Sequence, residues 1–344
     1  MKRVFAIVAV FAALGLLTGC PRPASETSGP AAEATGQEAA AETKGDEQPA
    51  PQSRGTIGIS LMTLTNPFFV IIGDTITEQA KKDGYATIVL SADENAAKQA
   101  EQIKDFIALD VAVIVLAPFD SKAIGPAIAE ADNAGIPVFT VDNACLAEDC
   151  KVLSHVATDN LGGGRLAGEL MIEALADSGG KIAVLDHKVT QSCLDRVTGF
   201  KEVIDKYNET AERKIEIVKE LPSGGNRQTG YTSAKDVLQS DADIVGIFAI
   251  NDPSALGAYA AVDEAAKTDQ IKIIGFDGEK AGKEAIRDGK IYADPIQHPD
   301  MMGEIIVQYM MEYFDGKKPP QEKLIEATPY RQADGKADKS LGAD

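Results

Sequence analysis

The chain has 344 residues, with 34 Lys and Arg against 53 Asp and Glu, for a formal charge of −19. That length suits one large or two medium domains, and an ordinary apolar content of 44% allows a sizeable core. The acidity argues against binding along nucleic acid, whose phosphates need a basic stripe.

Lys2-Arg3 precede an apolar run from Val4 to Leu17. A basic start followed by an apolar stretch too short to span a membrane comfortably has the form of a secretory signal. The run ends in Leu17-Thr18-Gly19-Cys20, which resembles a bacterial lipobox. Cys20 is then expected to carry a diacylglycerol and to become the mature N-terminus. This places the protein outside the cytoplasm, anchored to a bacterial membrane by lipid without spanning it. Residues 21–54 are rich in Ala, Glu, Pro, Gly, Ser and Thr and hold no large apolar residue. They cannot bury enough surface to offset ordering entropy and are expected to be a flexible tether.

The folded part opens on Thr56–Phe69, TIGISLMTLTNPFF. Ile57 and Ile59 suit a short buried strand, Asn66 a helix cap, and Pro67 the first helical residue. Phe68 and Phe69 then sit at the carboxyl edge of that strand, where open parallel sheets bind ligands. Further strands are predicted at 86–90, 112–116, 137–141 and 151–156, with helices at 67–83, 94–109 and 122–134. A second set follows, with strands at 181–185, 214–219, 244–248 and 271–275. Its helices are predicted at 160–177, 193–207, 228–240 and 253–267. Such alternation means parallel sheets covered on both faces. About 275 residues of it exceeds one compact sheet, so two similar lobes are expected.

Several strand ends carry polar residues. Asp142-Asn143 ends the fourth strand, and a carboxylate there can bridge adjacent hydroxyls. In Asn251-Asp252-Pro253 the reading makes Asp252 the cap and leaves Asn251 facing a cleft. Gly275-Phe276-Asp277-Gly278 repeats the arrangement, with Asp277 a second candidate carboxylate and Phe276 a candidate aromatic wall. Gln297 ends the next strand and His298 follows as a loop residue, while His155 and His187 read as structural. Gly162-Gly163-Gly164-Arg165-Leu166-Ala167 formally fits a dinucleotide fingerprint, with Asp186 near the expected distance. Those glycines fall within the first turns of a helix, however, where they permit close packing. No nucleophile elbow, P-loop or obvious metal cluster appears. A bond between Cys145 and Cys150 is expected in an oxidising compartment, with Cys193 free; a Cys145–Cys193 bond and three free thiols are the alternatives.

The opening run and FAINDPSALGA around Asn251 resemble the ribose-type (type I) periplasmic sugar-binding proteins. Gln297 is similar to that family's hinge amide, and Arg227 aligns with a family arginine that reaches the ligand from the second lobe. The likeness runs from about Thr56 to Tyr330. It implies an α/β fold of two doubly wound parallel-sheet lobes joined by a three-segment hinge near residues 158–159, 297–298 and 326–327. The lobes would be 55–158 with 298–326, and 159–297 with 327–333, leaving a tail at 334–344. The implied ligand set is Asn66, Phe68, Phe69, Asp142, Asn143, Arg227, Asn251, Phe276, Asp277 and Gln297. The implied function is capture of a monosaccharide, by a monomer without cofactor or catalysis, for the membrane subunits of an ABC importer. Service to a chemoreceptor or sensor kinase is the alternative, and a nucleotide-binding enzyme a more distant one. The pocket departs from the ribose binders. Met62 stands for a serine, Ala117 for an asparagine, Asn143 for an arginine, and Leu194 for a pocket arginine, with Arg196 two positions on.

Overall fold

A computed structural model describes residues 54–342, residue 149 excepted. The signal segment, Cys20 and the tether as far as residue 53 lie outside the described residues.

The first lobe begins with β1 (Thr56–Leu61), α1 (Pro67–Lys82), β2 (Ala86–Ser91), α2 (Ala96–Ala108) and β3 (Val113–Leu116). It continues with α3 (Gly125–Asn133), β4 (Val138–Val141) and β5 (His155–Thr158). The second lobe repeats the plan with α4 (Asn160–Leu175), β6 (Gly180–Asp186), α5 (Gln191–Thr210), β7 (Ile215–Pro222) and α6 (Arg227–Ser240). After these come β8 (Ile244–Ala249), α7 (Asp252–Glu264), β9 (Lys272–Ile274), α8 (Lys280–Arg287) and β10 (Ala293–Ile296). The chain then supplies α9 (Pro299–Phe314), β11 (Glu322–Ile325), β12 (Thr328–Arg331) and α10 (Gln332–Ala337).

The two sheets have the orders β11-β5-β4-β3-β1-β2 and β12-β10-β9-β8-β6-β7. Each reverses direction of winding beside its first strand, at β1/β3 and β6/β8, and a crevice opens there at the carboxyl edge. Each sheet is covered on both faces. Val113 and Val115 face one core with Ile57 and Ile59, while Ile114 and Leu116 face another with Phe106. This two-sided burial is why the strands read as nearly continuous apolar runs.

Two details depart from the sequence reading. Residues 151–154 touch β4 only through single bonds, such as Leu153 N–H to Val138 O at 2.8 Å, and the ladder with β11 starts at His155. The second sheet is not wholly parallel, because β12 runs against β10, with Thr328 opposite Ile296. The chain leaves β11 at the carboxyl edge of one sheet and enters the other from its carboxyl edge after two residues, so β12 must run against its neighbour.

The glycine run serves packing. A Cβ on Gly164 would lie 2.1 Å from the Arg196 carbonyl oxygen, and one on Gly199 would lie 2.1 Å from that of Leu161. The backbones of α4 and α5 therefore touch, which no larger residue permits. Cys145 and Cys150 are bonded with their Cα atoms 6.3 Å apart, and Cys193 is free and buried. No helix among the described residues is long and apolar enough to cross a membrane.

Candidate functional site

The two carboxyl edges face each other across one cleft. The first lobe lines it with Met62, Thr63, Asn66, Phe68, Phe69, Glu94, Asp142 and Asn143. The second supplies His187, Thr190, Ser192, Cys193, Arg196, Gly224, Gly225, Ile250, Asn251 and Asp277, and Gln297 joins at the hinge. The space between these residues is about 60 Å³. At the ~10–15 Å³ needed by one water, that is room for roughly four to six waters. A small polyol fits this scale and a dinucleotide does not.

Eight of the ten sequence-chosen residues meet here, and Arg227 and Phe276 do not. Arg227 is the exposed first residue of α6. Phe276 is fully buried beneath Arg196, whose guanidinium carbon lies 3.9 Å from the ring centroid. Its ring packs against α4, where a Cβ added at Gly163 would lie 2.6 Å from Phe276 Cζ, and so it lies outside the cleft lining. It acts as a cation–π floor rather than a wall. The helix-cap reading also changes. Asn251 caps α7, its Oδ1 accepting the Ser254 N–H at 3.1 Å, and its amide donates to Gly225 O at 2.9 Å. Asp252 lies wholly buried one residue on and accepts the Glu279 N–H at 2.6 Å. Asn66 caps α1 through the Phe68 N–H at 2.7 Å, and Phe68 and Phe69 meet edge to face, 5.1 Å between centroids.

Arg196 is the cation that sequence reasoning left out of the ligand set. It is 3% exposed and donates to Asn160 Oδ1 at 2.8 Å, Ile250 O at 2.7 Å and Asp277 Oδ1 at 3.0 Å. A signal for it existed. On α5, Cys193, Val197, Phe200 and Ile204 form a buried stripe, and Arg196 falls among them. An arginine inside an apolar stripe is rarely buried without a partner.

Several bonds tie the lobes together. Ser192 Oγ donates to Asn143 Oδ1 at 2.7 Å, and Gln191 N–H donates to Ser121 Oγ at 3.4 Å. At the hinge the Thr158 hydroxyl donates to Gln297 Oε1 at 2.6 Å, and the Gln297 amide donates to Asp277 Oδ1 at 2.6 Å. The structure is thus a closed form. Burial in it raises Asp142 to about 7, with the Arg196 charge opposing and the Asp277 charge reinforcing the rise. Burial also raises Asp277, against the pull of Arg196.

This gives a pH prediction. An opened, solvated Asp142 returns to its ordinary value of 3.8. Between pH 4 and about 7 the closed empty form therefore holds a proton that the open form has lost. Closure without ligand is favoured at the acid end and weakens by up to about 1.4 kcal/mol per pH unit on the way up. Interlobe distances from paired spin labels should show a larger closed fraction at pH 5 than at pH 8. A closed fraction independent of pH, or rising with it, contradicts the assignment.

Two mirrored lobes closed over a small polar space at both carboxyl edges define a two-lobed solute-binding protein. The chain belongs to the periplasmic binding protein family, whose domain matches residues 57–318. It is 35% identical over 264 residues to the ribose import binding protein of Bacillus subtilis, covering 76% of this chain and 83% of that protein. It is 30% identical over 292 residues to the D-apiose import binding protein of Paraburkholderia graminis, covering 83% and 91%. Among solved structures, an ABC transporter solute binding protein from Mycobacterium smegmatis with bound glycerol superposes with a TM-score of 0.76 at 28% identity, covering 84% of this chain and 98% of that one. These relatives are binding proteins rather than enzymes, and membership in the family implies an extracytoplasmic location.

Proposed function

We propose that this protein captures a monosaccharide in the cleft and delivers it to the membrane subunits of an ABC importer. It acts as a monomer, with lobes at 55–158 plus 298–326 and 159–297 plus 327–333. Asn66, Phe68, Phe69, Asp142, Asn143, Asn251, Asp277 and Gln297, joined by Arg196, surround the sugar. The observation that carries this reading is Asp142. It is 5% exposed, its Oδ1 is buried without a partner, and it lines a space of polyol size. A carboxylate oxygen held this way calls for hydroxyl donors from a ligand. The import of ribose and apiose by the relatives supports the same class. Sugar touching both lobes favours closure by its differential affinity for the closed state.

A thermal-shift screen of monosaccharides tests the reading. A true ligand at 100 times its dissociation constant should stabilise the fold by ~2.7 kcal/mol. A screen in which no monosaccharide raises the melting temperature sinks it.

We further propose that Cys20 anchors the protein through lipid, supported by the Leu17-Thr18-Gly19-Cys20 run behind a signal-like segment. Cys20→Ser is expected to abolish lipid labelling and to release or misprocess the protein. A Cys20→Ser protein that still labels with a lipid precursor in the membrane fraction contradicts the assignment.

A further inference from the structure

Among the described residues, three cleft-lining side-chain atoms are buried without a hydrogen-bond partner: Asp142 Oδ1, His187 Nε2 and Thr190 Oγ1. The last two lie within four residues, on the short connection between β6 and α5.

Thr190 is 2% exposed and is the N-cap residue of α5, with the extended backbone that a cap adopts. A threonine there ordinarily accepts an N–H of the first helical turn. Thr190 makes no such bond. Its hydroxyl lies against the Cys193 thiol, a weak partner. The capping role is thus forgone, and the hydroxyl lies at the cleft beside the positive end of a 20-residue helix.

His187 faces the Phe119 ring of the other lobe at 6.5 Å between centroids. Burial lowers its pKa, with the Asp186 charge opposing, so the ring is neutral at pH 7 and keeps one nitrogen as acceptor. Lys188 pairs with Asp186 at 3.2 Å. The nearby Gly224–Gly225 wall is bare backbone, and a Cβ on Gly225 would meet nothing closer than the Asn251 amide at 3.6 Å. Space is therefore left for a substituent.

We propose that His187 and Thr190 form a specificity subsite that reads an exocyclic hydroxymethyl group of the sugar, so that the site prefers hexopyranoses to the matching pentopyranoses. This rests on the monosaccharide reading above and deepens it. The hydroxymethyl oxygen receives the Thr190 hydroxyl proton and donates its own to His187. An anionic substituent is disfavoured, because Asp142, Asp277 and Glu94 line the cleft against one cation, Arg196.

Three matched pairs differ only by that group: D-allose and D-ribose, D-glucose and D-xylose, and D-galactose and L-arabinose. Titration calorimetry on the full chain should show the hexose of at least one pair binding more tightly. Thr190→Val and His187→Leu should each lower that hexose-to-pentose affinity ratio about tenfold, the effect of one buried hydrogen bond left unmade. Thr190→Ser should restore the ratio. Because no cap bond is lost, Thr190→Val should hold the wild-type melting temperature, which a purely capping threonine would not. A wild-type preference for the pentose, or a ratio unmoved in both variants, overturns the subsite while leaving the sugar cleft standing. Binding of no sugar in the set, together with an empty monosaccharide screen, overturns both.

Discussion

Arg196→Ala should remove ligand capture and destabilise the second lobe by about 3–5 kcal/mol, the cost of breaking one half of a buried ion pair. The guanidinium holds together Asn160, the Ile250 carbonyl, Asp277 and the Phe276 ring. Its loss leaves the Asp277 carboxyl buried without a counter-charge and two further acceptors unpaired. Arg196→Lys should rescue little, since one ammonium cannot span three acceptors in the fixed fork that Arg presents. Urea unfolding reads the stability loss and calorimetry the binding loss. A double Arg196→Met, Asp277→Asn variant separates them, because Asn tolerates the positive φ of 107° at that position. Stability should partly return, because the double variant leaves no uncompensated charge buried, while binding should not. An Arg196→Ala protein with the wild-type urea midpoint contradicts this account.

The same pair divides two aspartates that look equivalent in the sequence. Asp142 directly follows β4, Asp277 lies three residues past β9, and each has positive φ, 65° and 107°. From position alone, substitution of either should spare the fold. In the structure Asp277 is bonded to Arg196 and Gln297, so removing it strips a buried arginine of its counter-ion. Asp142 carries no ion pair, and its outer oxygen is unpartnered. Only Asp142 is therefore a clean probe of ligand contact.

How much was legible in the sequence follows from burial. The strands β1, β3, β4, β6 and β8 lie between two helical layers, so they appear as apolar runs with turn residues between them. The edge strands β11 and β12 are four residues long and mostly exposed, with patterns that resemble loops. They went unread as strands, and with them the reversal of β12. The site residues at strand ends were legible because the carboxyl edge is where a parallel sheet opens. Arg227 entered the set through the family likeness alone, and it lies exposed outside the cleft lining. The start of a helix does not reveal which way its first side chain turns. Arg196, His187 and Thr190 were missed for a different reason. They sit on and before α5, and whether they face the cleft depends on how closely α4 and α5 approach. Gly164 and Gly199 set that distance, and it is a tertiary quantity.

Asp142→Ala should weaken sugar binding by roughly 1.5–3 kcal/mol, the range for a hydrogen bond to a charged group. That is about ten- to a hundredfold in dissociation constant. The unliganded protein should not suffer comparably, since the side chain lost is a buried carboxyl with an unmet oxygen. Alanine tolerates the left-handed backbone at this position less well than Asp or Asn. Asp142→Asn is therefore the companion, keeping shape and backbone while removing the charge, with an expected loss of about tenfold. The decisive measurement is titration calorimetry of the wild type and both variants with the monosaccharide that the thermal screen returns. The account predicts one site per chain in the wild type and graded loss from Asn to Ala, with circular dichroism unchanged. Wild-type affinity in both variants, with normal folding, would place the ligand elsewhere and contradict the sugar-cleft assignment.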